Sequence, residues 1–416
     1  MFFVYKVLAN LIFLFSPLVI LIRLLKKKEH PRRFKEKFSI NTKKKISGKL
    51  IWFHGASVGE ILSVIPLIEK LEKDKNINQI LVTSNTLSSS KILDKLNLKK
   101  TSHQFFPIDS SFLCKKFLNH WKPTIAIFID SEVWPNMIMN IKERFIPLVL
   151  LNARITKKSF NKWKIFPQCA KFIFNKFDIC LTSSLKSKKY LKLLGAKKIK
   201  YFGNLKFSQS ENTADSLNKK IKKDILSKKI WCAASTHKTE EKFCGLVHKK
   251  LKSKNKKLLT IIIPRHIDRT ENIIEEMEKL NLNVQTYSSK EKIKENTDIY
   301  IVNTYGKTKA FFKVCEIVFL GGSIIKHGGQ NPLESVRYGC KILHGPHISN
   351  FSEVYNLLEK YKVSHKINNP KQMANKIDQI FKEKKDSLAI KNKIKDLGNK
   401  ILNSTIKEVN FLIDKK

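Results

Sequence analysis

The chain has 416 residues, 42% of them hydrophobic, and its 81 Lys+Arg against 35 Asp+Glu give a formal net charge of +46. That length exceeds one ordinary core and suits two domains, each with enough apolar material to fold. The seven cysteines, at 114, 169, 180, 232, 244, 315 and 340, show no CxxC and no paired spacing, which argues against a disulfide framework and a zinc site and for a reducing compartment.

So basic a chain invites a nucleic-acid reading. Its lysines, however, are spread along the chain with abundant Asn and Ile rather than gathered in Arg-aromatic clusters. The excess reads as solvated surface, with a component facing something anionic.

Val7 to Ile22 is sixteen residues without a charge, and Lys6 and Arg23 are the only charges within residues 1–25. Lys26-Lys27-Lys28, His30, Arg32, Arg33, Lys35 and Lys37 follow. The run is slightly short for a relaxed membrane span, and snorkelling of Lys6 and Arg23 stretches it. No small-residue cleavage site precedes the basic cluster, which disfavours a removed signal peptide. Basic residues directly after the run place the body on the cytoplasmic side. Residues 1–25 are therefore expected to be a membrane anchor, spanning or lying in the interface, with a kink at Pro17. The bland alternative is a buried helix of the globular body.

After a basic neck to about Ser47, strand and helix patterns alternate. Leu50 to Phe53 is a short apolar strand, His54 to Ser57 a sharp turn, and a helix opens near Ser57 to Gly59. Strands follow at 79–83, 124–129, 147–151, 178–182 and 199–202. Polar residues recur at their carboxyl ends: Ser57 to Glu60, Ser84 to Thr86, Glu132, Asn152 to Arg154, Ser183-Ser184. That recurrence suits a doubly wound parallel sheet with one working edge. Glu60, in the first turn of its helix, points at that edge; the helix dipole is expected to lower its pKa, and complementing that dipole is its bland role.

Gly203 to about Asp224 is polar and marks a domain boundary. The pattern restarts with strands at 230–234, 258–263, 299–302, 316–320 and 341–343, and residues 377–416 read as a closing pair of Lys-rich helices. The stretch Gly321-Gly-Ser-Ile-Ile-Lys-His-Gly-Gly-Gln-Asn-Pro-Leu-Glu334 combines paired glycines with Asn331 as N-cap and Pro332 as the first helical residue. Its amides are expected to face a phosphate, with Glu334 on ribose hydroxyls. Pro264-Arg265-His266 at another strand end adds a fixed cation. His54, His237, His266, His327 and His347 have no metal-ligand spacing and read as polar loop residues, with His266 the most apt to touch a ligand.

HGASVGE at 54–60, DSEVWPN at 130–136, GNLKF at 203–207, ASTHKTEE at 234–241, PRH at 264–266, GGSIIKHGGQNPLE at 321–334 and HGPHISNF at 344–351 together resemble the Kdo (3-deoxy-D-manno-octulosonic acid) transferases. The resemblance runs in order over nearly the whole chain. It implies a GT-B fold: an anchor over 1–25, an acceptor-binding Rossmann-like domain over 26–205 and a CMP-sugar-binding one over 206–416, around a cleft. It implies inverting, metal-independent transfer of Kdo from CMP-Kdo to a lipid A precursor at the inner membrane, with no cofactor. By the same resemblance Glu60 is the proton acceptor and Glu132 and Lys206 assist the transition state. Pro264, Arg265, Tyr305, Gly306, Lys307, Asn331, Pro332, Leu333 and Glu334 would hold CMP. Gln330 stands where the family pattern has His, and Asn303 and Lys307 stand where it has acidic residues. The anionic membrane surface then accounts for the excess lysine, and nucleic acid is not a partner. Two other readings remain open here: another GT-B transferase or a UDP-sugar epimerase, and a basic membrane- or nucleic-acid-binding protein without catalysis.

Overall fold

The computed structural model describes residues 2–209, 216–288, 291–383 and 386–414. The chain divides into two compact units, residues 1–210 with 397–416, and residues 211–396. The division falls within the polar stretch 203–224, but the last twenty residues return to the first unit, whereas the sequence reading kept 206–416 together.

The first unit is built on β1 (Leu50–His54), β2 (Gln79–Ser84), β3 (Thr101–Phe105), β4 (Ile125–Ile129), β5 (Leu148–Ala153), β6 (Ile179–Thr182) and β7 (Ile199–Tyr201). They lie in the order β3-β2-β1-β4-β5-β6-β7, and every pair is parallel. The second is built on β8 (Lys229–Thr236), β9 (Leu258–Pro264), β10 (Val284–Thr286), β11 (Ile299–Ile301), β12 (Ile317–Leu320), β13 (Lys341–His344) and β14 (Ser364–Lys366). Their order is β10-β11-β9-β8-β12-β13-β14, again all parallel.

The central strands are mostly apolar because helices cover both faces of a parallel sheet; β1, β4 and β5 are buried from end to end, with polar residues only near their carboxyl ends. Three strands lay outside the sequence expectation, and each is a sheet border. β3 reads Thr-Ser-His-Gln-Phe, while β10 and β14 have three residues each, so none carries an apolar run. Trp52 centres the first core, 5.4 Å from the Phe128 ring, with its indole Nε1 donating to Thr83 Oγ1 at 2.9 Å. In the second unit Trp231, Ile262, Phe319 and Met373 share one buried cluster.

The amino-terminal helix Phe2–Leu25 runs through Pro17. Its stretch Val7–Leu25 is the only segment among the described residues long and apolar enough to cross a membrane, and only 17% of it is buried, which sets aside the core-helix alternative. Tyr5 donates to Asp109 Oδ2 at 2.6 Å, and Arg23 and Lys37 both bind Glu29 Oε1 at 2.6 Å, tying the helix and neck to the sheet edge. Helices Pro370–Lys382 and Ser387–Asp414 end the described chain.

The neck is locked by a buried charge cluster. Arg33 grips Glu36 through two bonds of 2.9 and 3.2 Å, donates to the His103 carbonyl at 2.7 Å, and lies 2.9 Å from His103 Nδ1. Glu36 in turn accepts the Phe105 amide at 2.8 Å. His103 Nε2 is 2.8 Å from Ser84 Oγ, so the neutral ring accepts from Arg33 and donates to Ser84. Burial, with the Arg33 charge, holds its pKa down at about 3. Because that value lies below the unfolded one of about 6.5, the unfolded chain takes up the proton first as pH falls. This contribution is complete above about pH 6.5 and drains away toward pH 3. Thermal unfolding should therefore show a melting temperature that falls between pH 7 and pH 4, with a shallower fall in His103→Gln.

Candidate active site

In the first unit the strand order reverses between β1 and β4, and the crevice outside their carboxyl ends is where open α/β sheets bind ligands. β1 ends at His54, and Ser57 in extended conformation caps the helix Val58–Leu71. Glu60 is its third residue. Its Oε1 accepts from Ser57 Oγ at 2.9 Å and its Oε2 from the Ala56 amide at 2.6 Å, while Ser57 Oγ lies 3.4 Å from the Glu60 amide. This is a variant of the capping box S-x-x-E in Ser-Val-Gly-Glu, with the glutamate holding the amide of Ala56, one residue before the N-cap, rather than that of Ser57.

The Glu60 pKa is raised, not lowered as the helix dipole suggested. Burial is the largest cause and the Glu132 charge adds to it; the Ser57 and Ala56 bonds oppose both without prevailing. The carboxylate is thus aimed by two donors yet destabilised as an anion.

Glu132 follows β4. Its Oε2 accepts the Trp134 indole N–H at 2.7 Å and lies 3.3 Å from His54 Nε2. The sequence reading left His54 as a loop residue, but it is fully buried, with its ring centroid 3.7 Å from that of Phe106. Its Nδ1 is 3.0 Å from Thr83 Oγ1, the oxygen that accepts from Trp52. The Nδ1 also lies 3.3 Å from the Thr83 carbonyl oxygen, so the ring stands between Thr83 and Glu132. Burial lowers the His54 pKa and favours the neutral ring.

Lys206 sits on a 3-10 turn, Leu205–Ser208, that belongs to this first unit. Asn152, at the end of β5, donates to Asp130 Oδ1 at 2.6 Å and accepts the Leu205 amide at 3.0 Å. Asn152 and Asp130 have φ of 52° and 55°, a left-handed conformation that short polar side chains tolerate. The Lys206 charge acts on Asp130, and the helix Val58–Leu71 packs against the turn. Glu60, Glu132 and Lys206 therefore gather at one sheet edge. Beside Trp134 a cavity of about 240 Å³ is lined by Tyr5, Ala9, Ile12, Phe106 and Asp109, so the amino-terminal helix forms one of its walls.

In the second unit the reversal lies between β8 and β12. Gly321 is required there, since a Cβ would come within 2.3 Å of the Ser235 carbonyl oxygen at the end of β8. The amides of Gly322, Ser323 and Ile324, at the start of the glycine loop, do not face an open phosphate site. Glu240, fully buried, accepts from Gly322 at 2.7 Å and from Ser323, Ile324 and His237 at 3.0 Å each. An internal carboxylate thus occupies the first part of the loop that the sequence reading reserved for ligand.

The remaining predicted contacts lie at the same edge. Pro264 ends β9, and Arg265 beside it is exposed, with its amide donating to the Thr236 carbonyl at 3.0 Å. Tyr305, Gly306 and Lys307 follow β11, with Tyr305 67% exposed and Gly306 at φ 86°. The helix after the loop starts at Leu333, one residue later than expected, with Asn331 Oδ1 accepting the Leu333 amide at 3.2 Å. Pro332 and Leu333 are buried and Glu334 is exposed.

A family model for 3-deoxy-D-manno-octulosonic-acid transferase matches residues 32–209. The chain is 33% identical over 366 residues to the 3-deoxy-D-manno-octulosonic acid transferase of Rickettsia bellii, covering 87% of each. It is 32% identical over 372 residues to the probable mitochondrial 3-deoxy-D-manno-octulosonic acid transferase of Arabidopsis thaliana, covering 86% of this chain and 83% of that one. Among solved structures, a UDP-GlcNAc 2-epimerase from Neisseria meningitidis bound to UDP-GlcNAc matches with TM-score 0.58 at 13% identity, over 88% of this chain and 100% of that one. That is a likeness of fold alone, and with the two parallel seven-stranded sheets it makes the architecture GT-B-like.

Glu240→Ala should strand the loop amides and lower stability by roughly 3 kcal/mol, read by chemical denaturation, with Glu240→Gln recovering part of the loss.

Proposed function

The chain belongs to the Kdo transferase family, and from that premise we propose that it moves Kdo, with inversion, from CMP-Kdo to a lipid A precursor at the inner membrane. The observation that carries this reading is the meeting of Glu60, Glu132 and the Lys206 turn at one edge of the first sheet, with the Glu60 pKa raised. A general base works best when its pKa lies near the working pH, and burial moves Glu60 in that direction.

As the bond to CMP breaks, the sugar becomes cationic and the departing phosphate gains negative charge. Glu60, held by Ser57 and Ala56, receives the proton of the acceptor hydroxyl on the face opposite the leaving group. Glu132 places a second negative charge near the cationic carbon, and Lys206 answers the Kdo carboxylate or the phosphate. Arg265 is a fixed cation for the leaving group, and Pro264, the turn Tyr305-Gly306-Lys307 and Asn331 to Glu334 hold the nucleotide. No metal enters this scheme, so a chelator should leave the rate unchanged.

The lipid acceptor is supported by the apolar cavity that the amino-terminal helix shares with Trp134, next to Glu132. The helix anchors the protein, with the basic neck and the body on the cytoplasmic side.

Kdo transfer from CMP-Kdo made in situ to a tetra-acylated lipid A precursor in detergent tests the assignment. Glu60→Gln should lower the rate by about 10²- to 10⁴-fold with folding intact. The wild-type rate should fall on the acid side as Glu60 takes up its proton, and that limb should begin at higher pH than an ordinary glutamate allows. No transfer by wild type, with tight binding of a UDP-sugar instead, would replace this reading.

A further inference from the structure

We propose that His237, His266 and His327, with Gln330 and Arg265, form an anion seat that takes up a proton when the donor binds, the ligand group being a phosphate or carboxylate oxygen. The inference rests on the second unit taking the donor.

The ring centroids of His237 and His327 are 4.5 Å apart, and those of His237 and His266 are 5.9 Å apart. Gln330 Nε2 lies 3.3 Å from His237 Nε2. His237, His327 and Gln330 converge on Gly322, with His266 beside His237. A Cβ built on Gly322 would meet His327 Nδ1 at 3.3 Å, His237 Nε2 at 3.4 Å and Gln330 Nε2 at 3.5 Å. Gly322, at φ 66° and without a Cβ, thus lets three side-chain nitrogens gather against its backbone. The amides of Gly322, Ser323 and Ile324 cannot serve an incoming anion at the same time, because Glu240 holds them.

The charges around His237 favour an anion. The loop after β9 brings Arg265 and His266, the glycine loop brings His327 and Lys326, and its own turn brings Lys238. The acids come from the helix Glu240–Lys252, and both are engaged: Glu240 by the amides, and Glu241 by Arg269 at 2.9 and 3.2 Å. Burial first, then the His327 and His266 charges, lower the His237 pKa in the free protein. An arriving anion offsets that repulsion, so His237 gains proton on binding.

The test is calorimetric titration of the full chain in detergent at pH 7, in two buffers of different ionisation enthalpy. The ligands are CMP, cytidine, Kdo and inorganic phosphate, and the proteins are wild type, each single His→Gln variant at 237, 266 and 327, and the triple variant. Uptake of about half a proton per CMP beyond that of the triple variant is expected, because the nucleotide's own phosphate proton contributes equally to both. The triple variant should bind CMP roughly tenfold more weakly, and cytidine should give no uptake. Uptake with CMP assigns the seat to the phosphate, and uptake with Kdo assigns it to the carboxylate. Binding of CMP and Kdo with equal proton counts in wild type and variant overturns the seat and leaves the donor reading standing. If CMP fails to bind while inorganic phosphate binds with uptake, the seat stands and the donor reading falls. If nothing binds, both fall.

Discussion

In an all-parallel sheet every strand ends at the same edge, and the two strands that flank the reversal of order leave a crevice there which no helix fills. Both units of this chain obey that constraint, and their chemistry follows from it. β1 and β4 deliver the turn to Glu60 and the segment Asp130 to Glu132; β8 and β12 deliver His237 and the glycine loop. Turning away from a buried strand into that crevice demands unusual backbone. Asp130, Asn152 and Ser235 have φ between 52° and 56°, and the β8–β9 register shifts between Ala234 and Thr236. The same bends that terminate the strands thus aim the side chains.

A second regularity concerns the acids. Against 81 basic residues the chain has 35 carboxylates, yet several of these are its most buried charges. Glu36, Glu240 and Asp109 all accept backbone amides: Glu36 from Phe105, Glu240 from four residues, Asp109 from Asn136 and Met137. A buried carboxylate is tolerable only with several donors around it, and amides at helix starts and loop turns supply them without the entropy loss of pinning a lysine. Most lysines stay in solvent, Lys341 being a buried exception paired with Glu383, while the acids organise turns. Glu60 and Glu132 differ in degree: each keeps part of its surface accessible, and Glu60 carries the strain of its neighbour's charge.

The apolar runs made the central strands and both domains legible, because burial on two faces leaves a pattern that needs no context. Edge strands such as β10 and β14 were not, since three residues on a sheet border carry no such pattern. Individual site residues were visible as polar residues after strands, and Ser57 to Glu60 even spelled its capping geometry. What could not be read were relations across the chain. Glu240 reaches a loop more than eighty residues away, and His54 reaches Glu132 through side chains on two strands. The first reversed an expectation, since the amides of Gly322 to Ile324 were already taken; burial, with the Glu132 charge, reversed another by moving the pKa of Glu60 up. Sequence proximity shows a helix dipole, whereas a neighbouring charge brought by another strand appears only with the fold.

The helix Ser387–Asp414 begins in the second unit and finishes in the first. There Gly398 passes so close to the Lys206 turn that a Cβ would meet the Phe207 carbonyl oxygen at 2.4 Å, and Ile401 lies against Gly203. Synthesis runs from the amino end, so the apolar helix at residues 2–25 leaves the ribosome well before the segment that completes the Lys206 turn. Residues 211–396 intervene, a delay of roughly 10–40 s at ordinary elongation rates. The nascent chain can therefore engage a membrane while its first unit is still unfinished, and that unit closes only after the whole of the second has been translated.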